Sequence, residues 1–450
     1  MNYETIIGLE IHVELSTKTK MFCRCTVPSL TDKPNTRTCP ICLGLPGALP
    51  YANKQAIESC IKIALALNCK INNKSFFERK NYFYPDLAKG FQTSQYLHPF
   101  GEKGELDIKV DGKKKTIGIT RVHMEEDTGK LMHSKIDGKD VSLIDFNRSG
   151  VPLVEIVTEP DIRSAKEAKE FLTKLQRIIR YLNVSDADME KGHMRLEPNI
   201  SLREVKSQKL KVKSDELPKY KVEVKNINSF KFVEKAIKYE QKRHEELLEK
   251  GETPVQETRG WNEFKNKTVS QRSKEEAHDY RYFPEPDLPP ITISNDQLEA
   301  IRNSLPELPE ERIVRFVNEY GIKPYDAEIL TRDKKIADFS EEAFEAGKKY
   351  RVKPQVISSW IINKNIRVDD TVPAALIRKL VEERTVETVD EKRLIGAVEK
   401  VIRENTKAVA DYKSGKENAI MFLLGMAMKA YGGKVDTIIV KNAILEKLNK

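Results

Sequence analysis

The chain has 450 residues, of which 39% are hydrophobic and 33% are charged, a balance that favours a globular protein of two or three domains. Its longest apolar run, at 419–428, has ten residues and is too short to cross a bilayer. The net charge of +9 is a mild excess that permits a nucleic-acid partner without indicating one. With no pattern typical of a secretory signal, we expect a cytoplasmic protein that binds no membrane.

The first predicted strand, at 7–15, alternates strictly between apolar and polar residues. Its apolar residues share one face and its polar residues share the other: Leu9, Ile11, Val13 and Leu15 against Glu10, His12 and Glu14. Such alternation is typical of a strand with one buried face and one face in solvent. The polar face therefore needs support from other strands before it indicates a site.

Four cysteines follow the first strand as two close pairs, Cys23 and Cys25, then Cys39 and Cys42. Each pair can occupy one edge of a tetrahedron, so the spacing predicts a structural zinc site with all four thiolates as ligands. Two disulfides or four unrelated thiols are the alternatives, and disulfides would require an oxidising compartment. The other two cysteines lie on or beside an apolar helical run, which predicts buried core thiols at Cys60 and Cys69.

Three later strands, at 117–127, 151–157 and 193–203, repeat the polar face of the first. The residues predicted to share it are Arg121, His123 and Glu125, then Glu155, then His193, Arg195, Glu197 and Asn199. A solvated face is the ordinary explanation for one such strand. Four strands with the same residue types favour a sheet lined with ligands for divalent cations and with arginines for phosphates.

Helices interrupt and then replace this strand pattern. One is predicted at 164–182, beginning with a capping box from Ser164 to Glu167, and another at 230–250, ending at Gly251. A proline-dense stretch at 282–290 can be neither a helix nor a central strand, and the pattern is helical from Asn295 onward. Strands with occasional helices, followed by helices alone, predict an α+β domain and then an all-α region.

The sequence contains no glycine-rich phosphate-binding loop of either common type, and no Ser/Lys or Cys/His amidase constellation is legible. If the protein uses ATP, the nucleotide must therefore be held by carboxylate-bound Mg²⁺ and basic side chains on an antiparallel sheet.

Six groups of residues together resemble one family. They are Ile7–Leu15; Arg79–Asp86 with Gln92, Ser94 and Gln95; His123–Asp127; Asn147–Asp161; Lys225–Phe230; and Asp279–Asp287. This combination is similar to the B subunit of the tRNA-dependent aspartyl/glutamyl amidotransferase (the GatB family), and the similarity runs from the N-terminus to the last helices. At 371–407 the chain is shorter than the family pattern.

The resemblance implies a fold in three parts. Residues 1–290 would form a cradle domain of antiparallel sheet related to glutamine synthetase, with the cysteine loop at 21–44. Residues 291–375 would form a helical domain, and residues 376–450 a helical tail that binds tRNA.

The resemblance also implies a reaction. Members of the family use ATP to phosphorylate the side-chain carboxylate of Glu-tRNA(Gln) or Asp-tRNA(Asn), and ammonia then displaces the phosphate. The ammonia comes from glutamine hydrolysed by the amidase, or A, subunit, and a small C subunit completes the complex. An ATP-dependent, glutamine-hydrolysing carbon–nitrogen ligase is thus expected, with ATP, Mg²⁺ and structural zinc.

Specific roles follow from the resemblance for residues on the polar face. The Mg²⁺ ligands are expected to be Glu10, His12, Glu125 and Glu155. Weaker candidates for a second metal or its surroundings are His123, Glu126, Asp127 and Glu197. From charge and position on the polar face, and not from the resemblance, contacts to nucleotide or acyl-phosphate oxygens are expected from Asn147, Arg148, Arg195 and Lys225. The residues expected to act in catalysis are Arg148 and Lys225 together with the four Mg²⁺ ligands.

Two other functions compete with this prediction. A zinc protein that binds RNA, with merely solvated acidic strands, would bind RNA without hydrolysing ATP. A small-molecule amidoligase of the glutamine-synthetase type would act on free glutamate without tRNA and would leave the helical C-terminus without a role.

Overall fold

The computed structural model describes residues 3–29, 31–205, 217–273, 280–364, 366–384, 390–416, 418–432, 435 and 437–448. It divides into two compact units, Met1–Ile313 with Arg332–Lys334 and Val314–Thr331 with Lys335–Lys450. The predicted α+β class is confirmed, because a large, mostly antiparallel sheet dominates the first unit and the described part of the second is helical. The relation of the sheet to glutamine synthetase stays a prediction.

The main sheet has nine strands in the described residues. They are β1 Tyr3–Glu14, β2 Lys70–Ile71, β6 Gly101–Val110, β7 Lys113–Glu126, β10 Pro152–Thr158, β11 Met194–Glu204, β12 Val222–Lys225, β13 Glu257–Asn262 and β14 Lys267–Ser273. Their order across the sheet is β14-β13-β12-β11-β1-β10-β7-β6-β2. Every neighbouring pair is antiparallel except β12 and β13, which are parallel.

Smaller sheets surround the main one. Their strands are β3 Lys74–Ser75, β4 Glu78–Asn81, β5 Phe91–Ser94, β8 Lys130–Ile136, β9 Lys139–Asp145, β15 Phe283–Pro284 and β16 Ile291–Thr292. Strands β15, β4 and β5 form one sheet, β16 pairs with β3, and β8 with β9 forms a hairpin. The proline-dense stretch thus contributes only the two-residue strand β15 at a sheet edge, where its missing N–H groups cost little.

Thirteen helices are present in the part of the chain that the structure describes. They are α1 Lys54–Ala66, α2 Ala165–Tyr181, α3 Phe230–Glu249, α4 Asn295–Asn303, α5 Pro309–Tyr320, α6 Pro324–Leu330, α7 Lys334–Lys348, α8 Pro354–Asn363, α9 Pro373–Arg384, α10 Glu391–Glu404, α11 Thr406–Lys413, α12 Ala419–Tyr431 and α13 Thr437–Leu448. The predicted helices at 164–182 and 230–250, and the helical start at Asn295, are confirmed. Within the described residues, none of these helices combines the length and the apolar character that a membrane span requires.

Helices α1, α2 and α3 cover one face of the main sheet, packing on β7, β6 and β11 respectively. The apolar face of β1 is buried there, with Leu9, Ile11 and Val13 in one core with Phe171 of α2. Because side chains alternate along a strand, burying this set turns the polar set of β1 to the opposite face.

The predicted capping box of α2 forms only in part. The Ser164 hydroxyl accepts a hydrogen bond from the Glu167 backbone N–H at 3.2 Å, as expected for an N-cap. The Glu167 carboxylate, however, accepts from the Arg163 N–H and pairs with Lys115 instead of returning to Ser164. The nearby ammonium group of β7 competes for the carboxylate, which sequence alone does not reveal.

The last four helices, α10 to α13, enclose an apolar core of their own. On α12 the buried stripe includes Leu423, Leu424 and Ala427, which follow helical spacing. Phe422 on the same helix is 54% exposed and does not belong to this core.

Candidate metal centres

Polar side chains from neighbouring strands meet on the face of the main sheet opposite the helices. On β1, His12 lies opposite Glu155 of β10 on one side and Arg195 of β11 on the other. Two residues earlier on β1, Glu10 lies opposite Glu197. The antiparallel registers therefore collect on one face groups that are far apart in the sequence.

The first cluster consists of His12, Glu125 and Glu155, each of which offers a ligand atom within 4.8 Å of the others. The His12 Nε2 lies 3.6 Å from a Glu155 oxygen and 3.7 Å from a Glu125 oxygen. The buried His123 lies behind them, its Nε2 3.2 Å from Glu155 and 3.5 Å from Glu125. His12, Glu125 and Glu155 are predicted metal ligands, and the structure brings them together.

Electrostatics keep this cluster charged. Burial alone would lower the pKa of His12, but Glu155 and Glu125 outweigh it and raise the pKa to about 9. Burial likewise opposes the charged form of Glu155, yet the two histidines, His12 and His123, hold its pKa well below the usual range. For Glu125, burial and Glu155 are outweighed by Lys80 and His123, so its pKa is lowered. The carboxylates are therefore ionised near neutral pH, as metal binding requires, whereas His12 must lose its proton to act as a ligand.

Side chains of β5 orient Glu125. The Ser94 hydroxyl donates a hydrogen bond to one carboxylate oxygen at 2.8 Å, and the Gln92 amide donates to the other at 3.1 Å. The sequence signal for these partners was the group of Gln92, Ser94 and Gln95 in the family pattern, to which no role was assigned. Gln95 accepts from the Met124 N–H and so supports the adjacent strand.

The second cluster consists of Glu10, Glu197 and Glu223. Glu10, predicted as a ligand beside His12, thus lies in this cluster and not with the other three predicted ligands. Burial above all raises the pKa of Glu197, with Lys225 and His12 acting against it. Glu223 of β12 was not predicted, because four residues of strand sequence give a weak signal.

Lys225 links the carboxylates of this second cluster. Its Nζ lies 3.0 Å from both Glu197 and Glu223. The Asn199 amide donates to Glu10 at 2.9 Å, and the Thr258 hydroxyl donates to Glu223 at 3.0 Å. The positive charge of Lys225 partly compensates the negative charge of these carboxylates. A bound metal ion would compensate it in the same way.

Two predicted phosphate-binding arginines flank a buried carboxylate. Arg195 forms an ion pair with Asp127, and the Arg148 Nε lies 3.3 Å from the same Asp127 oxygen. Arg148 also donates to the carbonyl oxygens of Thr128 and Gly129. The remaining weak candidate, Glu126, pairs with Lys89.

Asn147 has a different environment from the other predicted nucleotide-binding residues. Its side chain accepts from the Arg37 N–H at 2.7 Å and donates to the Lys33 carbonyl at 2.7 Å. Asn35 reinforces this contact by accepting from the Phe146 N–H at 2.8 Å. Asn147 therefore holds the loop between the cysteine pairs against the segment that precedes Arg148.

The four cysteines of that loop converge. Their sulfur atoms all lie within 4.8 Å of one another, and the Cys39 and Cys42 sulfurs are 3.9 Å apart. Because zinc–sulfur bonds of about 2.3 Å place tetrahedral ligands about 3.8 Å apart, the set fits a tetrathiolate metal site. All four are free thiols, so the alternatives of disulfides and of unrelated, scattered thiols do not describe the structure.

The donor atoms of the two acidic clusters also fit metal ions. Glu10, Glu197 and Glu223 offer oxygen alone, which suits Mg²⁺. His12, Glu125 and Glu155 offer one imidazole nitrogen and two oxygens, which suits Mn²⁺ as well as Mg²⁺. One face of the antiparallel sheet thus combines two possible metal sites with flanking lysine and arginine side chains.

Comparisons with known proteins define the family. The chain matches the family model described as the GatB/GatE catalytic domain over residues 5–299 and the one described as the GatB domain over residues 355–448. It is 45% identical to the B subunits of the aspartyl/glutamyl-tRNA(Asn/Gln) amidotransferases of Thermoanaerobacter pseudethanolicus and Pseudothermotoga lettingae, over the whole of each chain. The corresponding protein of Dehalococcoides mccartyi is 44% identical over the whole of this chain and 99% of its own. The chain therefore belongs to the GatB family, the B subunits of the aspartyl/glutamyl-tRNA amidotransferases, which confirms the predicted resemblance.

Proposed function

We propose that this chain activates the side-chain carboxylate of a misacylated tRNA with ATP and joins it to ammonia. The substrates would be Glu-tRNA(Gln), Asp-tRNA(Asn) or both, in keeping with the names of the relatives. The observation that carries the proposal is the pair of adjacent clusters of possible metal ligands on one sheet face, flanked by Lys225, Arg148 and Arg195.

The proposed reaction has two steps. An oxygen of the side-chain carboxylate attacks the γ-phosphorus of ATP, which gives an acyl phosphate and releases ADP. The nitrogen of ammonia then attacks the acyl carbon, the carbon–oxygen bond to phosphate breaks, and a proton leaves the nitrogen. The products are the amide, ADP and phosphate. Activation is needed because a carboxylate is a poor electrophile, whereas phosphate is a good leaving group.

The residues of the face have distinct parts in this proposal. His12, Glu125 and Glu155 would hold one divalent cation, and Glu10, Glu197 and Glu223 a second. Such cations, when bound, neutralise charge on phosphate oxygens. Gln92 and Ser94 fix the orientation of Glu125 through two hydrogen bonds, so the carboxylate loses little freedom on binding a ligand.

The basic residues would meet substrate oxygens at the two sides of the face. Lys225 lies at the second cluster and carries a raised pKa, because Glu197 and Glu223 outweigh the effect of burial. Arg148 and Arg195 lie at Asp127, beyond the first cluster. Asn147, which is bound to the cysteine loop, would support Arg148 from behind and need not contact the nucleotide itself.

We infer that the ammonia comes from partner proteins. The relatives are named as B subunits, which implies a complex, and the partners expected from the family are the amidase, or A, subunit and the small C subunit. The sequence of this chain shows no legible amidase constellation of its own. The proposed enzyme is therefore a glutamine-hydrolysing ligase that is active only as a complex, and we expect it to act in the cytoplasm.

The other parts of the chain would serve binding and stability. Within the proposed cradle at 1–290, Cys23, Cys25, Cys39 and Cys42 would hold a structural zinc ion, since four thiolates leave no position for a reacting water. After the helical domain at 291–375, the tail at 376–450 would bind the tRNA through its lysines.

ATP hydrolysis by the reconstituted complex tests the proposed substrate class. We expect ADP formation to rise at least tenfold with Glu-tRNA(Gln) or Asp-tRNA(Asn), and no rise with the same tRNAs carrying their correct amino acids. Equal stimulation by free glutamate would instead favour a small-molecule amidoligase. Tight tRNA binding without any ATP hydrolysis would favour the RNA-binding alternative.

A further inference from the structure

Lys20 is a completely buried lysine beside the cysteine site, with 0% of its surface exposed. Its Nζ lies 3.6 Å from the Cys42 sulfur. In the described part of the chain this sulfur is the only hydrogen-bond partner found for the ammonium group. A buried ammonium is costly unless it is paired, and a neutral thiol is a weak acceptor, so the burial of Lys20 requires a better partner than a thiol.

The backbone around Lys20 fixes where its side chain points. The Lys20 N–H donates to the Cys25 carbonyl at 2.9 Å, and its own carbonyl accepts from Asn53, the N-cap residue of α1. The next N–H, of Met21, donates to the Gly150 carbonyl at 2.7 Å. The backbone at Lys20 is therefore fixed by hydrogen bonds to the cysteine loop, to the start of α1 and, through Met21, to Gly150.

Gly150 lies against the stem of the lysine. Its φ of +85° lies in the region that favours glycine, and a Cβ at this position would be 3.6 Å from the Lys20 Cδ and 3.5 Å from the Cys42 Cβ. The stem is thus packed between Gly150 and the metal-binding loop, with its charge directed at Cys42.

A divalent metal ion held by four thiolates carries a net charge of two negative units, which is unfavourable in a buried place. An adjacent ammonium halves that charge and donates a hydrogen bond to a thiolate sulfur, drawing electron density from it. Other cations near the cysteines have different surroundings: Arg24 is exposed and contacts the Tyr51 ring, Arg37 pairs with Asp32, and Lys89 pairs with Glu126.

We propose that Lys20 is the counter-ion of the tetrathiolate site, and that its N–H···S contact to Cys42 protects the thiolates from electrophiles and slows release of the metal. This inference rests on the proposed zinc site but not on the amidation reaction. It explains why a lysine can be fully buried beside the cysteine loop.

The experiment compares Lys20→Met, which removes the charge, with Lys20→Arg, which keeps it, and with Lys18→Met as a control at an exposed position two residues earlier. Each full-length variant is loaded with zinc, its metal content is measured by mass spectrometry, and metal release during alkylation by N-ethylmaleimide is followed with a chromogenic chelator. We expect release from Lys20→Met to be at least tenfold faster than from the wild type. This expectation follows because a charge-assisted hydrogen bond accounts for about one to two orders of magnitude. Release from Lys20→Arg and Lys18→Met should stay within about threefold of the wild type, because both variants keep a positive charge at residue 20.

Three results would overturn the inference. Wild-type rates in Lys20→Met would show that the charge has no role, and equal acceleration in Lys20→Met and Lys20→Arg would show that only the packing of the stem matters. Wild-type protein without metal would remove the site itself, and with it the zinc proposal.

A labelling measurement on the wild-type protein needs no variant to fold. Acetic anhydride should modify Lys20 at least tenfold faster after a chelator has removed the metal, because the thiolate partner is then lost. Lys18 should be modified at the same rate before and after, as it is exposed throughout. Unchanged labelling of Lys20 would contradict its dependence on the metal.

Discussion

Glu240 of α3 is a buried carboxylate whose removal should destabilise the sheet edge next to the second acidic cluster, which consists of Glu10, Glu197 and Glu223. Its side chain has 0% exposure and pairs with Arg243 at 2.7 Å and with Arg259 of β13 at 3.3 Å. It also accepts a hydrogen bond from Thr268 of β14. Thr258 precedes Arg259 on β13, and its hydroxyl donates a hydrogen bond to Glu223 of the second acidic cluster. Glu240 thus ties α3 to the strands that support the site.

The expected loss of folding free energy follows from the pKa of Glu240. Burial alone would raise it, but the His244 Nε2, 3.1 Å away, and hydrogen bonds from Arg243 lead a set of contacts that lower the pKa from 4.5 to about 2. A shift of this size corresponds to roughly 3 kcal/mol of folding free energy at about 1.4 kcal/mol per pKa unit. Because the folded pKa is the lower one, this stability is present above pH 4.5 and is lost as the pH falls towards 2. Glu240→Gln should therefore cost about 3 kcal/mol at pH 7 and roughly 2 kcal/mol at pH 3.5.

Urea denaturation of the first unit, followed by tryptophan fluorescence of Trp261 on β13, measures this difference at both pH values. The titration of all other carboxylates is common to the two proteins and cancels in the comparison. A cost below 1 kcal/mol at pH 7 would refute the reasoning, and so would an equal cost at both pH values.

Three further outcomes are expected. Cys39→Ser should reduce a zinc content of about one per chain and raise amide hydrogen exchange at 20–45 and at 145–150, because metal binding and local folding are one event; unchanged exchange would count against the contact through Asn147. Glu223→Gln should weaken Mg²⁺ activation of ATP hydrolysis about ten- to a hundredfold, with Glu263→Gln as an exposed control. Deleting 407–450, which contains eight lysines and four acidic residues, should weaken tRNA binding and flatten its salt dependence while glutamine hydrolysis persists; unaltered affinity across salt concentrations would make the tail a simple cap.

Local sequence patterns predicted the faces of the long strands but not how the strands pair. Strict alternation was enough to orient His12 on β1, and strand patterns likewise indicated Glu125 and Glu155. Which of these side chains meet depends on the strand order β11-β1-β10-β7, a non-local property. Glu10 consequently lies with Glu197 and not with the three residues predicted to share a metal ion with it.

Other features of the site were hidden for different physical reasons. Glu223 lies on a strand of four residues, too short for a periodic signal. Lys20 looks like an ordinary surface lysine in the sequence, and only its 0% exposure and its contact with Cys42 reveal its environment. The role of Asn147 in holding residue 37 depends on a contact across 110 residues of sequence.

The central claim is that the paired clusters on the sheet face are where ATP activates the tRNA-bound carboxylate. The most direct test is ADP formation by the reconstituted complex with Glu-tRNA(Gln), ammonium chloride in place of glutamine, and either Glu125→Gln or the exposed control Glu105→Gln. The amide keeps the shape of the side chain but loses the charge that holds a hard cation, so Glu125→Gln should lose at least a hundredfold in rate. Glu105→Gln should match the wild type, and glutamine hydrolysis by both assembled complexes should persist. Near-normal ADP formation by Glu125→Gln at ordinary Mg²⁺ concentration would contradict the account.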